Sequence, residues 1–335
     1  MTVMTRLILT FTDSGAGGLK AARLADCVIG IEQQFACGRL PSSSELDALL
    51  SPRAASRRVG AHWLDHLTGR LVEDARSQGL GLTEFCERFD AVDLWVDPDP
   101  DSQLQLIWLL HYLRPHASVI SRLAILQADQ PIGEQQPSEL AAWSLQLALI
   151  RDDHLETASD AWTAWRASTP ETWFNLLAQD LDALPQLQNS IVALLEELPS
   201  RGSGLGATEM RMLELRSAGH VHPYDLFPRH EKLIPRRTLG YWETGALLDG
   251  LSSCPMPAIA GLSEGPFDLA LHEDPDRHHR YKRSRLALTG FGQAIVAGTG
   301  DFSQHNPIHR WWDGTELINE RLWRWEAESR TLVAP

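Results

Sequence analysis

The chain is poor in cysteine, and the cysteine it has is not arranged for chemistry. Cys27, Cys37, Cys86 and Cys254 are scattered over 335 residues with no C-x-x-C pair. That spacing speaks against a disulfide framework and points to reduced, structural thiols of the kind found in the cytoplasm. No apolar run reaches the roughly 18 residues of a membrane span. The opening Met1–Arg6 leads straight into a short apolar strand, without the charged, apolar and cleavage regions of a secretory signal. The expected location is therefore cytoplasmic. Internal repeats and low-complexity tracts are lacking too. Basic charge is short where a polyanion would need it: residues 1–200 carry 14 Lys and Arg against 27 Asp and Glu, and residues 201–335 carry 16 against 17. The first half would repel a nucleic-acid backbone, so only the second half can face an anionic partner.

Tryptophan, by contrast, is plentiful. There are 12, and Trp311, Trp312, Trp323 and Trp325 crowd the end of the chain among His305, His309, Arg310 and Arg324. A terminal segment usually loses order. Rings of this size are tolerated there only when packed on the body or on a partner.

Strands and helices alternate in the first third. Arg6–Thr12, Cys27–Ile31 and Ala91–Val96 read as strands, with Ser118–Leu126 as a fourth. Helices are expected from Leu19, after Pro41-Ser-Ser-Ser44, and over Ser102–Leu113 with Asp101 as cap. This order predicts a parallel sheet covered on both faces, a Rossmann-like α/β domain over residues 1–130. Pro131–Pro137 reads as a linker, and residues 138–199 as an all-α segment started by Thr169-Pro-Glu171. Its Trp143, Trp162, Trp165 and Trp173 are expected to pack the helices on the sheet. Pro199–Gly206 is a second linker. Residues 204–300 give a helix after Thr208, a helix over Tyr241–Leu251, strands near Pro257–Leu262 and Phe267–Leu271, and a strand, turn and helix over Arg285–Val296. That order suggests a winged-helix-like domain, followed by a Trp- and His-rich tail, 301–335, packed on the body.

Four segments carry a likeness to known sequences: Asp13-Ser14…Gly17…Leu19-Lys20; Leu94-Trp-Val…Pro98…Gln103-Leu-Gln-Leu106; Gly204-Leu-Gly-Ala-Thr-Glu209; and His305-Asn-Pro-Ile-His-Arg-Trp-Trp312…Leu322-Trp-Arg-Trp325. Together they resemble, over nearly the whole chain, a bacterial family known as domain of unknown function number 1835. Asp313 stands where that family's pattern has glycine. The resemblance implies a full-length bacterial protein and no particular chemistry.

The candidate chemistry lies at two places. The corner Asp13-Ser14-Gly15-Ala16-Gly17-Gly18 falls between a strand and a helix, where open α/β sheets bind ligands and free helix amides attract an anion. Ser14 can donate to a phosphate or carboxylate, Gly15, Gly17 and Gly18 allow close approach, and Lys20 lies one turn into the helix. Asp13 opposes an anion, and the spacing is not G-x-G-x-x-G, although Glu32 could mimic a ribose-binding carboxylate. The alternative is a tight turn in which Asp13 and Ser14 only cap the helix. In the tail, Asp301, His305, His309 and Asp313 have the chemistry of a mixed metal site, but Pro307 and the missing H-E-x-x-H pattern argue against one. Arg310 or Arg324 would complete an anion pocket if the tail folded over Ser14. The catalytic candidates are Asp13, Ser14, His305 and His309, with no nucleophile–base set among them, no identifiable cofactor and no assigned metal.

The helix Tyr241–Leu251 has no Arg or Lys for a major groove, so Arg277–Arg285 is the only basic wing. The overall expectation is a non-catalytic regulatory or interaction protein with a small anionic-ligand site at the first corner. It would meet a protein partner, or a second copy of itself, through the winged helix. An enzyme acting on a phosphorylated or nucleotide substrate and a DNA-binding regulator are the alternatives.

Overall fold

A computed structural model of the chain describes residues 4–53, 62–144, 146–227, 238–312 and 314–335. It divides into two compact units. The first comprises Met1–Phe35, Leu40–Ala164 and Gln179–Gln188; the second comprises Ala36–Arg39, Trp165–Ala178 and Asn189–Pro335. Among the described residues, no helix is long and apolar enough to cross a membrane.

The first unit is built on a five-stranded sheet. In chain order its elements are β1 (Arg6–Thr10), α1 (Asp13–Ala22), β2 (Cys27–Gly30), α2 (Ser43–Leu50), α3 (Arg70–Gln78), α4 (Leu82–Cys86), β3 (Ala91–Val96), α5 (Pro100–Leu113), α6 (Ala117–Ile120), β4 (Leu123–Gln127), α7 (Pro137–Ala142), β5 (Ala148–Leu149) and α8 (Asp152–Trp165). The strand order is β2-β1-β3-β4-β5. The first four strands are parallel, with Ile8 level with both Val28 and Asp93, and β5 closes one edge antiparallel to β4. Leu7, Ile8 and Leu9 are essentially without exposure, as a central parallel strand covered on both faces requires.

One face of the sheet packs Ile8, Val28, Trp95 and Leu126 against Ala16 and Leu19 of α1, Ile132, and Leu140 of α7. Trp143 stacks on Trp95 with ring centroids 6.2 Å apart. Helix α5 is buried nearly all round, the mark of an interior helix. Its Trp108 meets Phe35 edge-on at 5.2 Å, and Phe35 also meets Trp162.

Several expectations shift for local reasons. Residues 131–137 are not a linker, because Ile132 is fully buried and begins a short 3-10 turn, Ile132–Glu134. Helix α5 starts two residues early, since Asp99 rather than Asp101 accepts the Ser102 amide. The fourth strand begins only at Leu123, because Ala117–Ile120 forms a helical turn. Strand β5 interrupts the expected all-α middle.

In the second unit, α9 (Glu171–Asn175), α10 (Leu187–Glu196), α11 (Ala207–Ser217) and α12 (Tyr241–Ser252) are followed by β6 (Ile259–Ala260), α13 (Leu269–Glu273), α14 (Pro275–Lys282), β7 (Ala287–Leu288) and α15 (Gly290–Val296). Helix α10 begins at the end of the first unit's last segment. The tail forms two small antiparallel hairpins: β8 (His309–Trp312) with β9 (Thr315–Ile318), and β10 (Arg324–Glu326) with β11 (Thr331–Val333). The expected strand at Phe267–Leu271 is instead helix α13, because Asp268 accepts the Leu271 amide at 2.9 Å and starts a helical turn. The short β6 and β7 pair directly, with α13 and α14 between them in sequence. Thr208 does not cap α11; its hydroxyl donates to Glu197 at 2.5 Å.

The four middle tryptophans divide between the two units. Trp143 and Trp162 pack in the first, as above. Trp165 and Trp173 meet edge-on at 4.7 Å in the second, where Trp165 also meets Trp312 at 4.6 Å. The Pro199–Gly206 segment is likewise packed rather than a linker. Gly204 has φ +69°, and a side chain there would strike Asp301 and Ser303.

Candidate functional site

The expected glycine loop is helix. Thr12, extended at φ −131°, accepts the Gly15 amide on its side chain, and α1 begins at Asp13. Asp13 and Ser14 are thus first-turn residues, and neither provides the cap. Gly15, Gly17 and Gly18 are helical, and none has a positive φ. Each costs about 1 kcal/mol relative to alanine inside a helix. Two of them repay this by close packing: a Cβ at Gly15 would press on Thr12, and one at Gly18 would lie 3.1 Å from Leu140.

The 3-10 turn lies over the start of α1. A Cβ added at Gly133 would strike the Ser14 side chain and come within 3.1 Å of the Gly15 amide nitrogen. Gly133→Ala should therefore destabilise by about 1–3 kcal/mol through overpacking. A matched pair of thermal melts, with Gly133→Ala/Ser14→Gly partly restoring the midpoint, checks this.

The strand order explains why this corner matters. From β1 the chain crosses to β2 on one side, then returns through α2, α3 and α4 to β3 on the other. The order reverses between β1 and β3, so their carboxyl ends flank the place where open α/β sheets receive ligands. At that point stands Asp97, just beyond β3 and 3% exposed. The Ile132 amide donates to its Oδ1 at 2.5 Å, and Thr12 Oγ1 lies 3.2 Å from its Oδ2. Gln103 Nε2 donates to its carbonyl at 2.9 Å.

Burial pushes the Asp97 carboxyl up to about 7, and neighbouring Asp99 and Glu134 raise it further, against the lowering effect of the two hydrogen bonds. Fully buried at the same corner, Thr10 Oγ1 and Gln103 Oε1 have no hydrogen-bond partner among the described residues.

The surroundings are acidic. Asp13 is exposed, and its Oδ1 would lie 3.3 Å from a Cβ at Gly30. Glu32, just past β2, is raised by the partial burial of its carboxyl and by Asp13. Helix α5 fixes this approach, because Asp101 accepts the Phe35 amide at 2.7 Å and Gln105 the Gln33 amide at 2.8 Å. Lys20 is exposed in the last turn of α1.

The tail residues do other things. Arg310 donates to Glu209 at 2.9 Å, and Glu209 also accepts the Gly206 amide. Arg324 donates to the Ser200 carbonyl and the Ser303 hydroxyl, beside Asp301. Both guanidinium groups are thus engaged inside the second unit. His305 lies edge-on to Phe291 at 5.1 Å, while His309 pairs with Glu316 at 3.1 Å. Asp301 accepts from Ser303, and Asp313 lies outside the described residues. The hypothetical metal quartet is therefore not assembled by its described members. Among the described residues no group of three or more His, Cys, Asp and Glu could hold a metal ion. In the expected basic wing, Arg277–Arg285, which lies in helix α14 as far as Lys282, Arg277 donates to the Glu264 and Gly265 carbonyls and Arg280 pairs with Glu264.

No protein-family model matches the chain, and no curated protein matches it.

Asp97, Thr12 and Gln103 were missed in the sequence because Asp97-Pro-Asp-Pro-Asp101 looks like a turn closing a strand. The available signal was a carboxylate at the exact end of an apolar strand. Its importance depends on the strand order, which the sequence does not display.

Proposed function

We propose that the chain is a ligand-responsive regulatory or interaction protein whose α/β unit takes a small amine-bearing molecule at the β1–β3 corner. The observation that carries this is Asp97. An amide there would make the same two side-chain contacts without the cost of a buried ionisable group. The acid adds only a proton that comes and goes near neutrality, a property typical of functional sites. The charge of the surroundings selects the ligand. Asp13, Glu32, Asp99 and Glu134 favour a cation and oppose phosphate, so a protonated amine fits the field of this corner. Phosphate or nucleotide, expected from the glycines, is disfavoured for the same reason and because Gly133 lies over Ser14.

Differential scanning fluorimetry with diamines and amino alcohols, against inorganic phosphate and nucleotides, tests the proposal. A hundredfold excess over Kd stabilises by about 2.7 kcal/mol, a rise of several degrees. The amine shift should disappear in Asp13→Asn/Glu32→Gln, whereas a phosphate shift with silent amines would overturn the reading.

An enzymatic role is the second reading, favoured by the same Asp97 proton as a general acid or base. The winged-helix character of residues 204–300 and membership of the bacterial family resembled over nearly the whole chain belong to the same proposal. A protein interface in the second unit is supported by exposed Tyr241 and Trp242, the favoured kind of anchor. DNA is the weaker partner, because Arg277 and Arg280 are committed to the Glu264 turn.

A further inference from the structure

The second unit contains a chain of hydrogen bonds that the α/β site does not use. Tyr224 comes from a 3-10 turn, Pro223–Asp225; Tyr241 opens α12; His272 lies in α13 and His278 in α14. The Tyr224 and Tyr241 hydroxyls are 2.7 Å apart, Tyr224 Oη is 2.7 Å from His278 Nε2, and Tyr241 Oη is 2.9 Å from His272 Nε2. The two imidazoles close the ring, with centroids 4.5 Å apart.

One further contact fixes every hydrogen. His272 Nδ1 lies 3.0 Å from the Asp268 carbonyl, which can only accept, so Nδ1 carries a proton. In the neutral ring His272 Nε2 is then an acceptor and takes the Tyr241 hydroxyl. Tyr241 oxygen takes the Tyr224 hydroxyl, and Tyr224 oxygen takes the His278 Nε2 proton. Three contacts are filled by three hydrogens. Adding one proton keeps the ring whole. If it settles on His272 Nε2, all three bonds reverse and His278 moves its own proton to Nδ1. A second proton breaks the arrangement, because four hydrogens then compete for three contacts and two cations face each other at the stacking distance.

We propose that this ring is an acid-opened clasp. It holds the Pro223–Asp225 turn, α12 and the α13–α14 pair together while carrying at most one proton, and it releases them when both imidazoles are charged. The surroundings, among the described residues, support that sign. Tyr224 faces the pair from the turn, Tyr241 and Trp242 from α12, Phe267 from the segment before α13, and Lys282 from α14, while Tyr281 packs on Tyr224 and Phe267. Among the described residues no carboxylate bonds to either ring. Asp249 of α12 accepts the Phe267 amide, Asp268 the Leu271 amide and Asp274 the Asp276 and Arg277 amides, while Glu273 is exposed. Burial, His272 and Lys282 hold His278 below the ordinary imidazole range. A lowered histidine contributes stability above its unfolded value of about 6.5, and this is lost as pH falls through the folded value. Acid therefore opens the clasp.

Two measurements on the full chain decide the matter. Nitrogen-15 NMR of the wild-type imidazoles at pH 7.5 should show His272 protonated at Nδ1 and His278 at Nε2; the opposite tautomers overturn the proposal. Amide exchange of residues 269–282, corrected for intrinsic rate, should lose at least about tenfold protection between pH 7.5 and 5.0. In His272→Gln/His278→Gln the protection should not change between these pH values. Unchanged wild-type protection, or the same pH response in the variant, overturns the clasp. If the variant does not fold, the two wild-type readouts decide alone.

Discussion

Asp97→Asn should raise the stability of this protein at pH 8 and leave it nearly unchanged at pH 4. The carboxyl has a value near 3.8 in the unfolded chain and about 7 in the fold. A raised acid of this kind contributes its full stability below the unfolded value, and the contribution is lost as pH climbs through the folded one. Above pH 7 the fold must either bury a charge or keep a proton that the unfolded chain has released. Three units of difference correspond to about 4 kcal/mol at most. With the side chain nearly sealed from water, a gain of about 2–4 kcal/mol is expected for the amide. Asparagine keeps the geometry: its oxygen can accept the Ile132 amide, and its nitrogen can donate to Thr12 Oγ1. Urea denaturation of wild type and variant at pH 4, 6 and 8 checks the prediction. Equal stabilities at pH 8 would show that Asp97 ionises normally and would remove the observation on which the proposed function stands. A residual slope is expected from Glu197, the other carboxyl pushed up to about 7, chiefly by burial and despite hydrogen bonds from Thr208.

The prediction also shows which parts of this protein are legible in one dimension. The β3 strand was placed to the residue, because Ala91–Val96 is an apolar run ended by Asp-Pro signals. The α/β alternation led correctly to a mostly parallel sheet. The glycines after β1 misled, since glycine marks both loops and places where two backbones touch, and here Gly15 and Gly18 do the second. Pro131 and Pro137 imitated a linker, although Ile132 between them is a core residue and Gly133 lies on Ser14. Two-residue strands such as β5 carry no periodicity to detect. What no local pattern could reveal is adjacency across the sheet. Thr12 and Asp97 are 85 positions apart and meet only because β1 and β3 are neighbours. The Tyr–His ring is equally invisible, drawing its four members from three helices and a turn.

The tail supplies the other large effect, and adjacent residues should behave oppositely. Trp312 is 5% exposed, its indole nitrogen donates to the Leu194 carbonyl at 2.8 Å, and its ring meets Trp165 edge-on. Trp312→Ala removes the whole ring from a packed interior and takes from the Leu194 carbonyl one of its two donors, the Glu197 amide remaining, so a loss of about 3–5 kcal/mol is expected. Trp311, on the opposite side of the same β8 strand, is half-exposed with Arg39 over its ring at 5.4 Å. Trp311→Ala should cost only about 0.5–1 kcal/mol, the value of an exposed cation–π contact. Strand alternation is what separates the two: Trp312 faces inward level with buried Thr315, whereas Trp311 is level with half-exposed Glu316. Thermal melts of the two single variants check this. Comparable losses for both would mean that the hairpin does not hold this register, and the account of the tail as an integral layer of the second unit would fail with it.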